Sequence, residues 1–397
     1  MSTSDMAREQ YEVLVVGAGV VGCAIAYHLA KAGLRVALID RRTVASEASL
    51  AGAGMLAPLA EAGKVSEEHH PFLQLCLAGL HYYHDLDRQL KDETGIDIEL
   101  VNAPTLRPAF EEQEAEELQA VMSSQQHLLP GVAWLEGSAA QKVEPLLPHT
   151  VLGAIISPAE RNVQGARVAL AYARGAALHK AQIFEERSAT RLIRQGQQVI
   201  GVETEHGPMR AEVVVLATGA WAARWHTPTS HLPIFPVKGQ MLALRATPDL
   251  GLRHTIYYHK WGYMLPKADG GIYVGATSEF VGFDKAVTAE GIMTLLSVVM
   301  KIAPELKRAR FEHAWTGLRP GSADGLPLLG PSRSLPGLWL AGGHFRNGIL
   351  LGPLTGHILA ELIQGRPAPF GLDLCAFDPD RFGGWDGPSN ECTFHIS

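Results

Sequence analysis

This chain of 397 residues contains few cysteines and has no excess of positive charge. Its four cysteines, Cys23, Cys76, Cys375 and Cys392, stand far apart and form no C-x-x-C pair. This spacing gives no zinc motif and is typical of free thiols in a reducing compartment. The formal net charge of -7 leaves no basic stripe, so we expect no nucleic-acid partner.

A membrane-spanning run and a metal-binding histidine pattern are missing too. Residues 13–30 approach the length of a membrane span, but glycines in the first half and a polar pair near the end argue against insertion. The closest histidine sets, His69-His70 and His81/His84, lack the i, i+4 spacing with a carboxylate that helix-borne zinc sites use. We expect no signal peptide. These absences predict a cytoplasmic protein with neither a metal ion nor a membrane partner.

What the chain does contain is a βαβ pattern in residues 11–40. Val13-Leu-Val-Val16 is a continuous apolar run, typical of a buried parallel strand. Residues 23–31 continue with helical spacing, and residues 35–40 form a second strand. The pattern predicts a doubly wound α/β domain.

Three glycines, Gly17, Gly19 and Gly22, lie where this first strand turns into the helix, and Asp40 ends the second strand. The first glycine allows a tight turn, the second lets a pyrophosphate approach the backbone, and the third lets helix and strand pack closely. The Asp40 carboxylate suits a ribose hydroxyl. This context predicts dinucleotide binding; the alternative is a glycine-rich packing turn.

The rest of the chain mixes helices with short strands. Helices are predicted over 71–91, 111–126, 166–181 and 289–301. Tight turns join a predicted β-meander over 189–194, 199–205 and 210–217. Further strands are predicted over 240–245, 255–258, 263–266 and 271–275.

The C-terminal block, residues 315–356, places Arg319 and Arg346 on two predicted glycine-rich loops either side of a short apolar strand. The second loop is expected to open into a helix over 355–364. Exposed N–H groups at a helix start, with arginine alongside, suit a carboxylate or an electron-rich ring. The alternative is a pair of ordinary turns with solvated arginines.

Three features favour FAD over NAD as the dinucleotide. The small-residue stretch 48–55 could follow an extended diphosphate, and a β-meander is typical of FAD proteins. The predicted C-terminal helix start could stabilise negative charge on a reduced flavin.

With these motifs the chain resembles the amino-acid oxidase superfamily of FAD flavoproteins and, within it, glycine oxidases of the thiamine-biosynthesis type. The resemblance covers most of residues 11–366. The motifs that carry it are Ala53-Gly-Met-Leu56, Pro236-Val-Lys-Gly239, Val274-Gly-Ala-Thr277, Gly317-Leu-Arg-Pro320 and Gly342-Gly-His-Phe-Arg-Asn-Gly-Ile-Leu-Leu351.

The resemblance implies a Rossmann-like FAD-binding domain with a β-meander and a smaller α+β substrate domain with an antiparallel sheet. The FAD-binding domain would comprise 11–95, 150–229 and 310–368. The substrate domain would comprise 96–149 and 230–309, and 369–397 would form a peripheral tail.

The resemblance also implies the site residues. Arg319 would bind the substrate carboxylate, Tyr263 would hydrogen-bond it, and Arg346 would lie beside it. Arg319 as a surface ion-pair partner and Tyr263 as core packing are the alternatives. No cysteine lies in the C-terminal block, so FAD would be held non-covalently, and no acid–base side chain is singled out. The FAD-binding residues would be Gly17, Gly19, Val20, Val21, Gly22, Asp40, Arg41, Ala48, Ser49, Ala53, Gly54, Met55, Ala189, His344, Phe345, Arg346, Asn347, Gly348, Ile349 and Leu350.

The implied reaction is oxidation of glycine or another small amine or D-amino acid by hydride transfer to FAD. Oxygen would reoxidise the flavin, and the imine would hydrolyse or pass to a thiazole synthase. We also expect a homo-oligomer. Ser278 and Trp261 depart from the residues of the well-known glycine oxidase, which leaves the preferred amine open. The alternatives are a D-amino-acid dehydrogenase, a non-catalytic flavin-binding protein and a nicotinamide dehydrogenase.

Overall fold

The computed structural model describes residues 11–62, 70–227, 230–247, 250–258 and 261–382. His69, Cys392 and the part of the predicted tail after residue 382 lie outside these ranges. The helices are α1 (Val20–Lys31), α2 (Ala48–Ala51), α3 (Pro58–Ala62), α4 (His70–Tyr82), α5 (Leu86–Thr94), α6 (Glu112–Gln125), α7 (Gly137–Val143), α8 (Gly165–Leu178), α9 (Ala289–Ile302) and α10 (Gly348–Ile363).

The strands form two large sheets and two short pairs. In chain order they are β1 (Tyr11–Val16), β2 (Val36–Ile39), β3 (Met55–Leu56), β4 (Thr105–Ala109), β5 (Ala133–Glu136), β6 (Gly153–Ser157), β7 (Arg161–Asn162), β8 (Gln182–Phe184), β9 (Ala189–Gln195), β10 (Gln198–Thr204), β11 (Gly207–Leu216), β12 (His226–Thr227), β13 (Ser230–His231), β14 (Ile234–Arg245), β15 (Thr255–Tyr258), β16 (Gly262–Pro266), β17 (Gly271–Gly275), β18 (Arg310–Ser322), β19 (Leu328–Pro331) and β20 (Leu338–Gly342).

The first sheet has the order β19-β20-β11-β1-β2-β8, and its central strands are parallel. β9 and β10 extend β11 as an antiparallel meander. Helices α1, α8 and α10 pack together beside it, and α1 and α10 come so close that a Cβ on Gly356 would lie 2.4 Å from Ala24 Cβ. The predicted Rossmann-like domain with its β-meander is confirmed.

The second sheet has the order β18-β14-β17-β16-β15-β4-β6-β5 and is antiparallel except between β15 and β4. Helix α9 covers it, with Leu295 and Val299 in the same buried cluster as Leu242 and Ile256. This confirms the predicted α+β unit with an antiparallel sheet.

Two strands lie in a different sheet from the one that the predicted division into domains implies. β6 and β18 fall within segments assigned to the FAD-binding domain, but both hydrogen-bond in the second sheet. The division of the chain into domains, including the tail from residue 369, stays a prediction.

The prediction of a single helix over residues 71–91 is wrong, because two helices, α4 and α5, lie there. The chain turns at 83–85, where the Tyr83 amide bonds the Leu80 carbonyl in a tighter turn than an α-helix makes. Across the described ranges, no helix is long and apolar enough to cross a bilayer. Nor does this part of the chain bring three or more His, Cys, Asp or Glu side chains into a group that could hold a metal.

Candidate active site

A cavity of about 810 Å³ runs from the glycine turn after β1 to strands β14, β16 and β18 of the second sheet. Of the residues predicted to bind cofactor or substrate, Gly22, Asn347 and Leu350 do not line it. Those that do are Gly17, Gly19, Val20, Val21, Asp40, Arg41, Ala48, Ser49, Ala53, Gly54, Met55, Ala189, Tyr263, Arg319, His344, Phe345, Arg346, Gly348 and Ile349.

The glycine turn has the geometry that its spacing predicts. Gly17 has φ +109°, and a Cβ there would lie 2.4 Å from the Ala217 carbonyl oxygen. A Cβ on Gly22 would lie 1.8 Å from the Gly17 oxygen, so this glycine allows the helix to pack. At Gly19 the nearest atom to a Cβ would be Ser49 Oγ, 3.3 Å away. A diphosphate can therefore approach the backbone at Gly19.

Asp40 is fixed by backbone donors at one end of the cavity. Its carboxylate accepts from the amide of Ala18 (2.7 Å) and from that of Arg42 (2.8 Å). Burial raises the pKa of Asp40, against the effect of these bonds. A carboxylate has about four acceptor positions, so capacity for a ribose hydroxyl remains.

Arg41 and Ser49 organise the same end of the cavity. The Arg41 guanidinium lies 3.9 Å from the centre of the Trp221 ring and donates to Glu47 (2.8 Å). Ser49 Oγ accepts from the Val20 amide (2.9 Å), which ties α2 to the first turn of α1.

Helix α10 begins at Gly348, so the predicted start at residue 355 is wrong. The helix continues through Pro353, which has no N–H for the Ile349 carbonyl. The Tyr83 hydroxyl donates to that carbonyl instead (2.7 Å). This long-range bond explains why a proline is tolerated inside the helix, whose first residues, Gly348 and Ile349, line the cavity.

His344, just before this helix, is buried and bonded to Thr355 through Nε2 and Oγ1 (3.0 Å). Burial lowers the pKa of His344 to about 4. The imidazole is therefore neutral at neutral pH, and the positive potential near it comes from the helix N-terminus and from Arg346.

Arg319 lies within strand β18, so the predicted loop position is wrong. The glycines on either side of it let neighbouring residues pack against the strand. A Cβ on Gly317 would lie 2.6 Å from Ala51 Cβ, and a Cβ on Gly321 would lie 2.7 Å from the Phe235 ring. The Arg319 guanidinium lies over Gly239, where a Cβ would come within 2.5 Å of it. The glycine pattern reflects packing in a strand.

A hydrogen-bond network orients Arg319. Its Nη1 donates to the Thr277 carbonyl (3.0 Å), and the Thr277 hydroxyl donates to Glu279 (2.5 Å). Glu279 also pairs with the buried Lys238 (2.9 Å) and accepts from Gln240 (2.8 Å). Burial lowers the pKa of Arg319, although arginine stays charged at physiological pH.

Tyr263 lies beside Arg319 and pairs in register with Gly275. A Cβ on Gly275 would lie 2.6 Å from the Tyr263 hydroxyl, so glycine is needed under the ring. Burial raises the pKa of Tyr263. The hydroxyl therefore stays protonated. It donates to Met241 Sδ (3.8 Å), a weak acceptor, so a stronger acceptor in the cavity would take over this hydrogen bond.

Arg346 forms an ion pair with Glu61, which lies on α3; Nη1 and Oε2 are 3.4 Å apart. Burial disfavours the charge of Arg346, but Glu61, Tyr257 and Tyr263 together outweigh this, and the pKa of Arg346 is raised. Glu61 lies 285 residues away in sequence. No local pattern indicates this pair.

The sequence profile of the FAD dependent oxidoreductase family matches residues 12–362. The chain belongs to this family. It is 36% identical to the glycine oxidase of Geobacillus kaustophilus over 374 residues, 94% of this chain and 97% of that protein. It is also 36% identical to the bifunctional protein ThiO/ThiG of Nostoc over 355 residues, 89% of this chain and 52% of that protein.

Solved structures agree. The crystal structure of the Geobacillus kaustophilus glycine oxidase gives a TM-score of 0.87 and covers 94% of this chain and 99% of that chain. The crystal structure of iminodiacetate oxidase from Chelativorans, at 28% identity, gives 0.84 and covers 95% and 100%. These findings confirm the predicted enzyme class and FAD as the cofactor.

The residues of this FAD-dependent oxidoreductase fit the cofactor. The glycine turn leaves room for a diphosphate, Asp40 retains acceptor capacity, and the cavity continues to Arg319. Glu61, Trp221, Gln240 and Tyr257 are among the lining residues that sequence reasoning missed. The sequence does contain an indication for two of them, because Trp221 follows the end of the meander and Gln240 directly follows the Pro236–Gly239 motif.

Proposed function

We propose that this chain oxidises glycine or another small amine with one carboxylate to the imine. The observation that carries the proposal is Arg319, oriented by Thr277 and placed beside the Tyr263 hydroxyl in the cavity that begins at the glycine turn. The glycine oxidase relatives support the same substrate class.

When bound, FAD supplies the hydride acceptor and passes two electrons to oxygen, which becomes hydrogen peroxide. Arg319 retains N–H donors beyond the one bonded to Thr277, and these can hold a carboxylate at two points. Tyr263 adds a hydrogen bond, and the pair fixes the orientation of the substrate Cα–H.

The substrate, bound with a neutral amine, loses a hydride from Cα, which FAD would accept, and the iminium formed then releases an N–H proton to water to give the imine. The imine formed from glycine then adds water and yields glyoxylate and ammonia. Glu61 is engaged with Arg346, and we assign it no proton transfer. Orientation by Arg319 and Tyr263 is the chain's main contribution to rate.

We assign the cofactor to the cavity-lining residues of the first sheet and its loops, and the substrate to Arg319, Tyr263 and Arg346. The ThiO/ThiG relative, whose remaining length lies beyond the match, supports delivery of the imine to a thiazole synthase. Self-association, a cytoplasmic location and non-covalent attachment of FAD stay predictions.

The test begins with the purified, flavin-containing protein. Glycine, sarcosine, D-alanine and D-proline are added separately without oxygen, and flavin absorbance is followed. We expect at least one of them to bleach the flavin and to generate peroxide when air is admitted. Absence of bleaching by all four would refute the proposal. Bleaching followed by slow reoxidation in air would indicate a dehydrogenase.

A further inference from the structure

The Glu61–Arg346 ion pair lies in the same cavity wall as Arg319 and Tyr263. Arg346 and Arg319 are close enough for the charge of one to lower the pKa of the other. Glu61 neutralises Arg346, and Glu279 is paired with Lys238. Among the residues that the structure describes at this end of the cavity, Arg319 is therefore the arginine without a carboxylate at ion-pair distance, although Glu61 also acts on it from further away.

A buried polar network holds the backbone that carries Glu61. Glu160 accepts from the amides of Leu59 (2.8 Å) and Ala60 (3.3 Å), and Arg107 donates to the Leu59 carbonyl (3.0 Å). Gln125 donates to the same carbonyl (3.1 Å). Glu160, Arg107 and Gln125 are all buried. These hydrogen bonds hold the backbone of α3 just before Glu61, and this fixes the position from which the Glu61 side chain reaches Arg346.

We propose that Glu61 determines specificity: by neutralising Arg346 it makes the site fit amines with one carboxylate and reject amines with two. This inference rests on the proposed function. A second carboxylate near Arg346 would have to displace the Glu61 carboxylate and would meet its negative charge. Removing the charge of Glu61 would leave two cations in the site, a match for a dicarboxylate.

The test measures binding of two unreactive ligands by flavin absorbance titration. Diglycolate and methoxyacetate share a carboxymethyl ether, but diglycolate carries a second carboxylate where methoxyacetate carries hydrogen. The Kd of methoxyacetate divided by that of diglycolate is compared in the wild-type protein and in Glu61→Gln. We expect this ratio to rise roughly 10- to 100-fold in the variant.

Three controls make the result decisive. Arg346→Met combined with Glu61→Gln should return the ratio towards the wild-type value. Glu290→Gln removes an exposed carboxylate elsewhere in the cavity wall and should leave the ratio unchanged. Glu61→Met tests whether any uncharged side chain of similar length gives the same shift.

An unchanged ratio in Glu61→Gln would overturn the inference. So would an equal shift in Glu290→Gln, or loss of methoxyacetate binding in both Glu61 variants, which would make the residue structural. The titration needs no turnover. If the ratio shifts but no amine is oxidised, the proposed function fails and the charge assignment stands; if glycine is oxidised but the ratio is unchanged, only the inference fails.

Discussion

Replacing Arg319 with alanine should weaken binding of the substrate carboxylate while FAD stays bound. The guanidinium is fixed over Gly239 and by the Thr277 carbonyl, so it is already oriented before substrate arrives. Removing one partner of a desolvated, hydrogen-bonded charge pair costs about 2–5 kcal/mol. This corresponds to a loss of roughly 30- to 5,000-fold in affinity.

The assay is kcat/KM for glycine, measured by peroxide formation, with flavin content measured on the same sample. Arg310→Ala is the matched control because Arg310 lies on the same strand and its side chain is 75% exposed. The control should keep wild-type kinetics. An Arg319→Ala protein with bound flavin and ordinary glycine kinetics would refute the carboxylate assignment.

Three further predictions concern the cofactor, the orienting network and acid stability. Gly19→Val should prevent FAD retention by blocking the diphosphate; a flavin-replete variant contradicts this. Lys238→Met should raise the KM for glycine about tenfold, with a smaller change in kcat, because Glu279 loses its counter-ion. Equal changes in KM and kcat would argue against this orienting role. Burial lowers the pKa of His344 in the folded state to about 4, so below pH 6.5 the unfolded state takes up a proton at this residue before the folded state does. The free energy of unfolding should therefore drop by about 3 kcal/mol between pH 6.5 and pH 4. Urea titrations of wild type and His344→Gln should differ across that window, and identical pH profiles would refute it.

The sequence is most informative where function depends on local spacing. The turn at Gly17, Gly19 and Gly22 and the carboxylate of Asp40 occur within one βαβ unit, so their spacing directly specifies their geometry. The β-meander is equally local, because its turns and alternating residues lie next to each other. The turn and the meander are therefore predictable from local sequence alone, while the cofactor-binding roles of these residues stay predictions.

The errors arise where a distant contact changes the meaning of a local pattern. Gly317 and Gly321 resemble loop residues, but they keep strand β18 clear of Ala51 and Phe235. Pro353 resembles a helix boundary, but the hydroxyl of a distant tyrosine satisfies the carbonyl that proline leaves unpaired. Neither compensation is visible in the neighbouring sequence.

The substrate end of the site therefore depends on register more than on motif. Strand β18 pairs Arg319 with Val237, which places its guanidinium diagonally over Gly239. A slip of one residue would turn Arg319 to the other face of the sheet. Arg346 reaches the same cavity from the start of α10, and Glu61 reaches it from α3. The charge balance that we propose as the basis of substrate selection is thus set by three separate elements, and only the folded chain brings them together.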